Sequence, residues 1–101
     1  MSFERCVGLE VIDEVLYQKY RDGMMPILAR YGGAFRYDFK MAETLKSATP
    51  APINRLFITT FKDKASHDAF FEDAEYKKVR EKFFKPAVKN STVLATYEIN
   101  R

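Results

Sequence analysis

A chain of 101 residues, 47% hydrophobic and 31% charged, has the make-up of one globular domain and is too apolar to stay disordered. Its net charge of +3 is far below that of a nucleic-acid arm or a polybasic membrane anchor, and no apolar run reaches the length of a membrane span. The single cysteine, Cys6, excludes a disulfide within the chain, and with no signal-like apolar stretch after Met1 the expected location is the cytoplasm.

Residues 4–12 alternate, with Val7, Leu9 and Val11 on one side and Cys6, Gly8 and Glu10 on the other, which predicts a strand. Asp13 then offers a helix N-cap and Glu14 a favourable first-turn charge. Tyr17, Tyr20, Met24, Ile27, Leu28 and Tyr31 follow at helical spacing. Gly32-Gly33 ends that helix as C-cap glycines do, and Pro26 inside it is expected to kink or split it. Alternation returns from Ala34 to Leu45, where Phe35, Tyr37, Phe39 and Met41 oppose Arg36, Asp38 and Lys40.

The short Ser47–Pro52 stretch reads as a hairpin connection to a third strand, Arg55 to Phe61, rich in β-formers. Asp63 or Ser66 caps a second helix holding Phe70 and Phe71. A restart is expected near Asp73, with Tyr76, Val79, Phe83 and Ala87 on one stripe, and Val93 to Ile99 closes the chain as a fourth strand. With short, right-handed connections, that order gives a single α+β domain over residues 1–101. It is a ferredoxin-like βαββαβ split sandwich, with one four-stranded antiparallel sheet and both helices on one face.

Two helices cover one face of such a sheet, so the other should show polar residues on every strand if it met water. Strand three does not: Leu56 and Ile58 point one way, Phe57 and Phe61 the other. A second copy of the chain is the simplest cover, so a homodimer is expected, assembled as a dimeric α+β barrel.

Val11-x-Asp13-x-x-x-Tyr17-x-x-Tyr20, then Tyr31-Gly32-Gly33-x-Phe35, resembles the opening half of the domain-of-unknown-function family 1330. Arg55-Leu56 leading to Phe61, then Ala69-Phe70-Phe71 and Glu75-Tyr76, continues the resemblance along nearly the whole chain. The resemblance implies the dimeric α+β barrel fold, in which two sheets face each other and enclose a pocket. It supplies no assigned activity.

The chemistry-bearing residues are sparse. His67 is the only histidine; near a helix start it reads as a surface residue, and adjacent Asp68 is not expected to face it. One His and one Cys give no metal-ligand spacing, so no metal and no cofactor is expected. Cys6 lacks a base, and Gly32-Gly33 follows a helix where a phosphate loop would precede one. The Lys78, Lys82, Lys85, Lys89 stripe reads as a solvated face. An RNA-recognition module needs rings on strands one and three; strand one has none, and strand three has Leu56 where a glycine belongs. Neither nucleic acid nor membrane is therefore an expected partner.

The remaining constellation is polar residues among apolar strand neighbours: Glu10, Arg36, Asp38 and Thr60. If they line the pocket, they supply carboxylates, a guanidinium and a hydroxyl between apolar walls, as ligand sites do. Two readings stay open. One is a pocket between the sheets for a small apolar or aromatic molecule, with or without cofactor-free catalysis. The other is a non-catalytic interaction or structural dimer module, with RNA binding a poor third.

Overall fold

The computed structural model describes residues 1–100. It contains β1 (Ser2–Val11), α1 (Glu14–Arg30), β2 (Ala34–Lys40), β3 (Arg55–Phe61), α2 (Lys64–Glu72) and α3 (Ala74–Val79). A π-helical turn (Arg80–Phe84), a last helical turn α4 (Lys85–Ala87) and β4 (Val88–Ile99) complete it. The four strands form one antiparallel sheet in the order β2-β3-β1-β4. This is the expected ferredoxin-like α+β fold.

Local chemistry sets the element ends. Asp13, Asp63 and Asp73 each accept a hydrogen bond from the backbone N–H three residues on, capping α1, α2 and α3. At the end of α1, the Gly33 N–H donates to the Leu28 carbonyl and the Gly32 N–H to that of Ala29. That is the Schellman arrangement, with Gly32 at φ 71°. Pro26 does not split α1, which runs as one helix of 17 residues with Pro26 exposed. The expectation of a split gives way because α1 is anchored on both sides of the proline, by Tyr20 and Met24 before it and Ile27 and Leu28 after.

Cross-strand partners share a face of the sheet. Phe3, Arg5, Val7, Leu9 and Val11 of β1 face the helices, while Glu4, Cys6, Gly8 and Glu10 face away, paired with Tyr97, Ala95, Thr92 and Asn90 of β4. Val7, Leu9 and Val11 join Tyr17, Leu28, Phe61, Phe70 and Tyr76 in the core. The molecule measures 17 Å along its shortest axis, the depth of one sheet and one helix layer. Its outer sheet face is uncovered within the chain, with Tyr37, Phe39, Met41 and Leu94 all exposed.

Two irregularities break simple alternation. β2 is shorter than expected, and its register against β3 shifts between Phe35 and Tyr37. Phe35 and Asp38 therefore lie on the helix side with Thr59 and Phe57, while Tyr37 and Phe39 pair with Ile58 and Leu56 on the open side. The sequence pattern put Arg36 and Asp38 on one face; the bulge at Arg36 separates them. A second shift, opposite Cys6/Val7, brings Val93 to the helix side. β4 also begins earlier than expected, at Val88.

Candidate functional site

A cavity of about 680 Å³ lies between the sheet and the helices, within the size range of small-molecule sites. Its wall is mostly rings and aliphatics: Val7, Met24, Phe61, Phe70, Phe71, Tyr76 and Phe84 among them. The exposed Ser91, Val93 and Thr96 of β4 and Lys77, Arg80 and Glu81 of the facing helical stretch form its rim. β4 is an edge strand, and the cavity opens along it. Pro86 helps to shape the opposite side. It lacks the N–H an α-helix would use at that position, and the chain widens just before it into a π turn, with the Lys85 N–H bonded to the Arg80 carbonyl. That turn carries Arg80 and Phe84 to the cavity.

Polar groups in this wall are few. The Tyr20 and Tyr76 hydroxyls bond each other at 2.9 Å, and burial raises the pKa of both. Thr59 is 5% exposed, and its hydroxyl has no hydrogen-bond partner among the described residues; His67 Nε2 is in the same position. His67 is not the surface residue expected from its place in the first turn of α2. Its side chain is 14% exposed and packs on the rings of Phe3, Phe61 and Phe71 at 4.8, 5.3 and 4.8 Å. Its Nδ1 lies 2.8 Å from Asp68 Oδ1, so the adjacent pair does meet.

Burial holds the His67 pKa below its usual value, against the opposing pull of Asp68. The neutral ring then donates Nδ1–H to the carboxylate, which leaves Nε2 with its lone pair. Arg5, on the core side of β1, reaches under α2 with its guanidinium 4.5 Å from the Phe71 ring centre. A charged residue in step with Val7 and Leu9 was the signal the sequence carried for it.

The structure brings two of the four sequence-predicted residues together and separates the others. Arg36 and Thr60 meet on the open face around Glu4, which the sequence reading missed. Arg36 Nε and Nη2 donate to the Glu4 carboxylate at 2.6 and 2.8 Å. The Glu4 side chain is fully buried, covered on this thin face by Arg36, Tyr97 and Thr60. Burial alone would raise its pKa; hydrogen bonds from those three groups outweigh it and hold the carboxyl below the usual range. The same contact raises Arg36.

Glu10 lies farther along the open face, half-buried, accepting from Asn90 Nδ2 at 2.7 Å. Asp38 lies on the helix side, gripped by Arg21 at 2.9 and 3.2 Å and by Arg55 at 3.2 and 3.3 Å. Burial pushes its carboxyl up, and the two guanidiniums overcome that and lower it. None of the four lines the 680 Å³ cavity. Asp38 instead lines a separate, smaller cavity of about 290 Å³ with Glu14, Gln18, Lys40 and Arg55. The sequence expectation placed the pocket between two sheets; the 680 Å³ cavity lies on the other side of the sheet.

Among solved structures, the chain is similar to a protein of unknown function from Rhodopseudomonas palustris. The two share 14% identity and a TM-score of 0.83 over 99% of this chain and 83% of that one. A dimeric ferredoxin-like protein of unknown function from Jannaschia shares 17% identity and a TM-score of 0.59, over 98% and 100% of the two chains. A Bacteroides thetaiotaomicron protein described as a candidate antibiotic biosynthesis monooxygenase shares 14% identity and a TM-score of 0.64, over 98% and 90%. No curated protein matches the chain. The family model described as Domain of unknown function (DUF1330) matches residues 6–97, and this chain, nearly all of which that match covers, belongs to that family.

Proposed function

We propose that the protein binds a small, largely aromatic molecule in the cavity between its sheet and its helices. The supporting observation is a wall of rings around about 680 Å³ whose residues include two buried polar atoms with no partner among the described residues, Thr59 Oγ1 and His67 Nε2. An unpaired buried polar atom costs about 1–3 kcal/mol, and a ligand's polar group offsets that cost. The neutral dye N-phenyl-1-naphthylamine tests the reading, since its emission rises when it leaves water. Saturable binding with Kd on the order of micromolar is expected. Val93→Trp, at a rim position already 47% exposed, should weaken it at least about tenfold by filling the mouth. Absence of binding, or equal binding by V93W, contradicts the cavity as the site.

A catalytic extension has its own observation: the His67 tautomer set by Asp68 leaves Nε2 ready to take up a proton. The protein then acts without a cofactor, as a proton-transfer catalyst on its bound ligand.

We further propose that two copies pair through their open sheet faces, in the cytoplasm. The exposed Tyr37, Phe39, Met41 and Leu94 support the pairing, as does the dimeric description of the Jannaschia protein. Glu10, Arg36 and Thr60 then lie between the sheets, with Asp38 outside them.

A further inference from the structure

The cavity wall holds two cations that no carboxylate among the described residues neutralises. Its other charged residues are accounted for within the chain: Arg21 by Asp38, Lys77 by Glu72 and Glu81 by Lys85. Arg5 and Arg80 have no acidic group within ion-pair distance among the described residues. Each instead lies over a ring, Arg5 over Phe71 at 4.5 Å and Arg80 over Phe84 at 5.2 Å. Arg5 is half-buried on the sheet floor, and Arg80 is exposed on the rim. Both act on the Tyr76 hydroxyl, which is itself in the wall. Burial weakens the hold of Arg5 on its proton, and the like charge of Arg80 weakens it further. Two guanidiniums directed at one apolar space repel each other unless an anion lies between them.

We propose that the ligand of this cavity is an organic monocarboxylate: its carboxylate is held by Arg5 and Arg80, and its aromatic or branched apolar body lies against Phe70, Tyr76 and Phe84. This rests on the cavity being the binding site and adds the chemical class of what it takes. The planar, two-pronged guanidinium matches a carboxylate. The rest of the wall is too apolar to solvate the second charge of a phosphate monoester.

Calorimetric titration of the full chain with 2-naphthoate and with 2-naphthamide separates the two claims, because the pair share a body and differ in charge. The naphthoate is expected to bind about ten- to a hundredfold more tightly, the worth of a charge-assisted contact. Arg5→Gln should remove most of that preference while leaving naphthamide binding intact, which also shows that the variant is folded. Arg80→Gln, at an exposed position, should reduce it in the same direction. Equal binding of the two compounds, or a preference that survives both substitutions, overturns the carboxylate assignment and leaves the cavity standing. Binding of neither compound overturns both.

Discussion

Around His67, burial and a single carboxylate act in opposite directions, and burial prevails. Because its pKa in the fold lies below the ordinary 6.5, the unfolded chain binds this proton first. The resulting stability is present above about pH 6.5 and falls as pH drops toward the folded-state value. As the only histidine, it gives a single set of ring resonances. Nitrogen-15 NMR should show Nδ1 protonated and Nε2 bare at neutral pH, with a titration midpoint below 6.5 that falls further in Asp68→Asn, where the carboxylate that favours the charged ring is gone. A protonated ring at neutral pH contradicts this reading. Glu4 adds a second, more acidic step, since its pKa is depressed and its contribution disappears as pH falls through that lowered value. Urea midpoints between about pH 5 and pH 3 should therefore fall more steeply in the native chain than in Glu4→Gln. Thr59→Val keeps the shape and removes the unpaired hydroxyl, so it should stabilise the ligand-free protein by about 1 kcal/mol in denaturant titration. Sequence offered little at this scale. Arg5 was visible as a charge in a core period, but Glu4 and His67 were hidden because their burial depends on side chains that arrive from other elements.

The elements themselves were legible where backbone chemistry is local. Aspartates at 13, 63 and 73 and the glycine pair at 32 and 33 fix helix ends through bonds spanning only a few residues. Gly33 carries a second constraint that no periodicity reveals: a Cβ there would come within 2.5 Å of Leu28 Cδ1 and 2.7 Å of Phe61 Cε1. Gly33→Ala should cost about 1–3 kcal/mol through overpacking, read as a lower urea midpoint with an unchanged slope. The bulge at Arg36 was not legible. Alternation along β2 assumes every residue pairs, and one unpaired residue moves all that follow to the opposite face. Strict alternation along β4 would likewise group Val93 with Ala95 and Tyr97, whereas the register shift sets it at the cavity rim.

At the scale of the molecule, one sheet with one helix layer, 17 Å deep, leaves a broad apolar face open. The mixed character of strand three made that face readable as one in need of a partner. Phe39→Asp, at a residue 49% exposed in the single chain, should shift the protein from dimer to monomer in light scattering while leaving the helix-side core intact. The cavity was not readable, because its wall takes residues from β1, β3, β4, both long helices and the π turn at once. Its place in the fold is best tested by crystals grown with 6-bromo-2-naphthoate, using the anomalous scattering of bromine. The expected peak lies on the helix side of the sheet, among Phe70, Tyr76, Phe84 and Val93, with the carboxylate against Arg5. A peak on the open face beside Glu10 or Glu4, between two sheets, would contradict it.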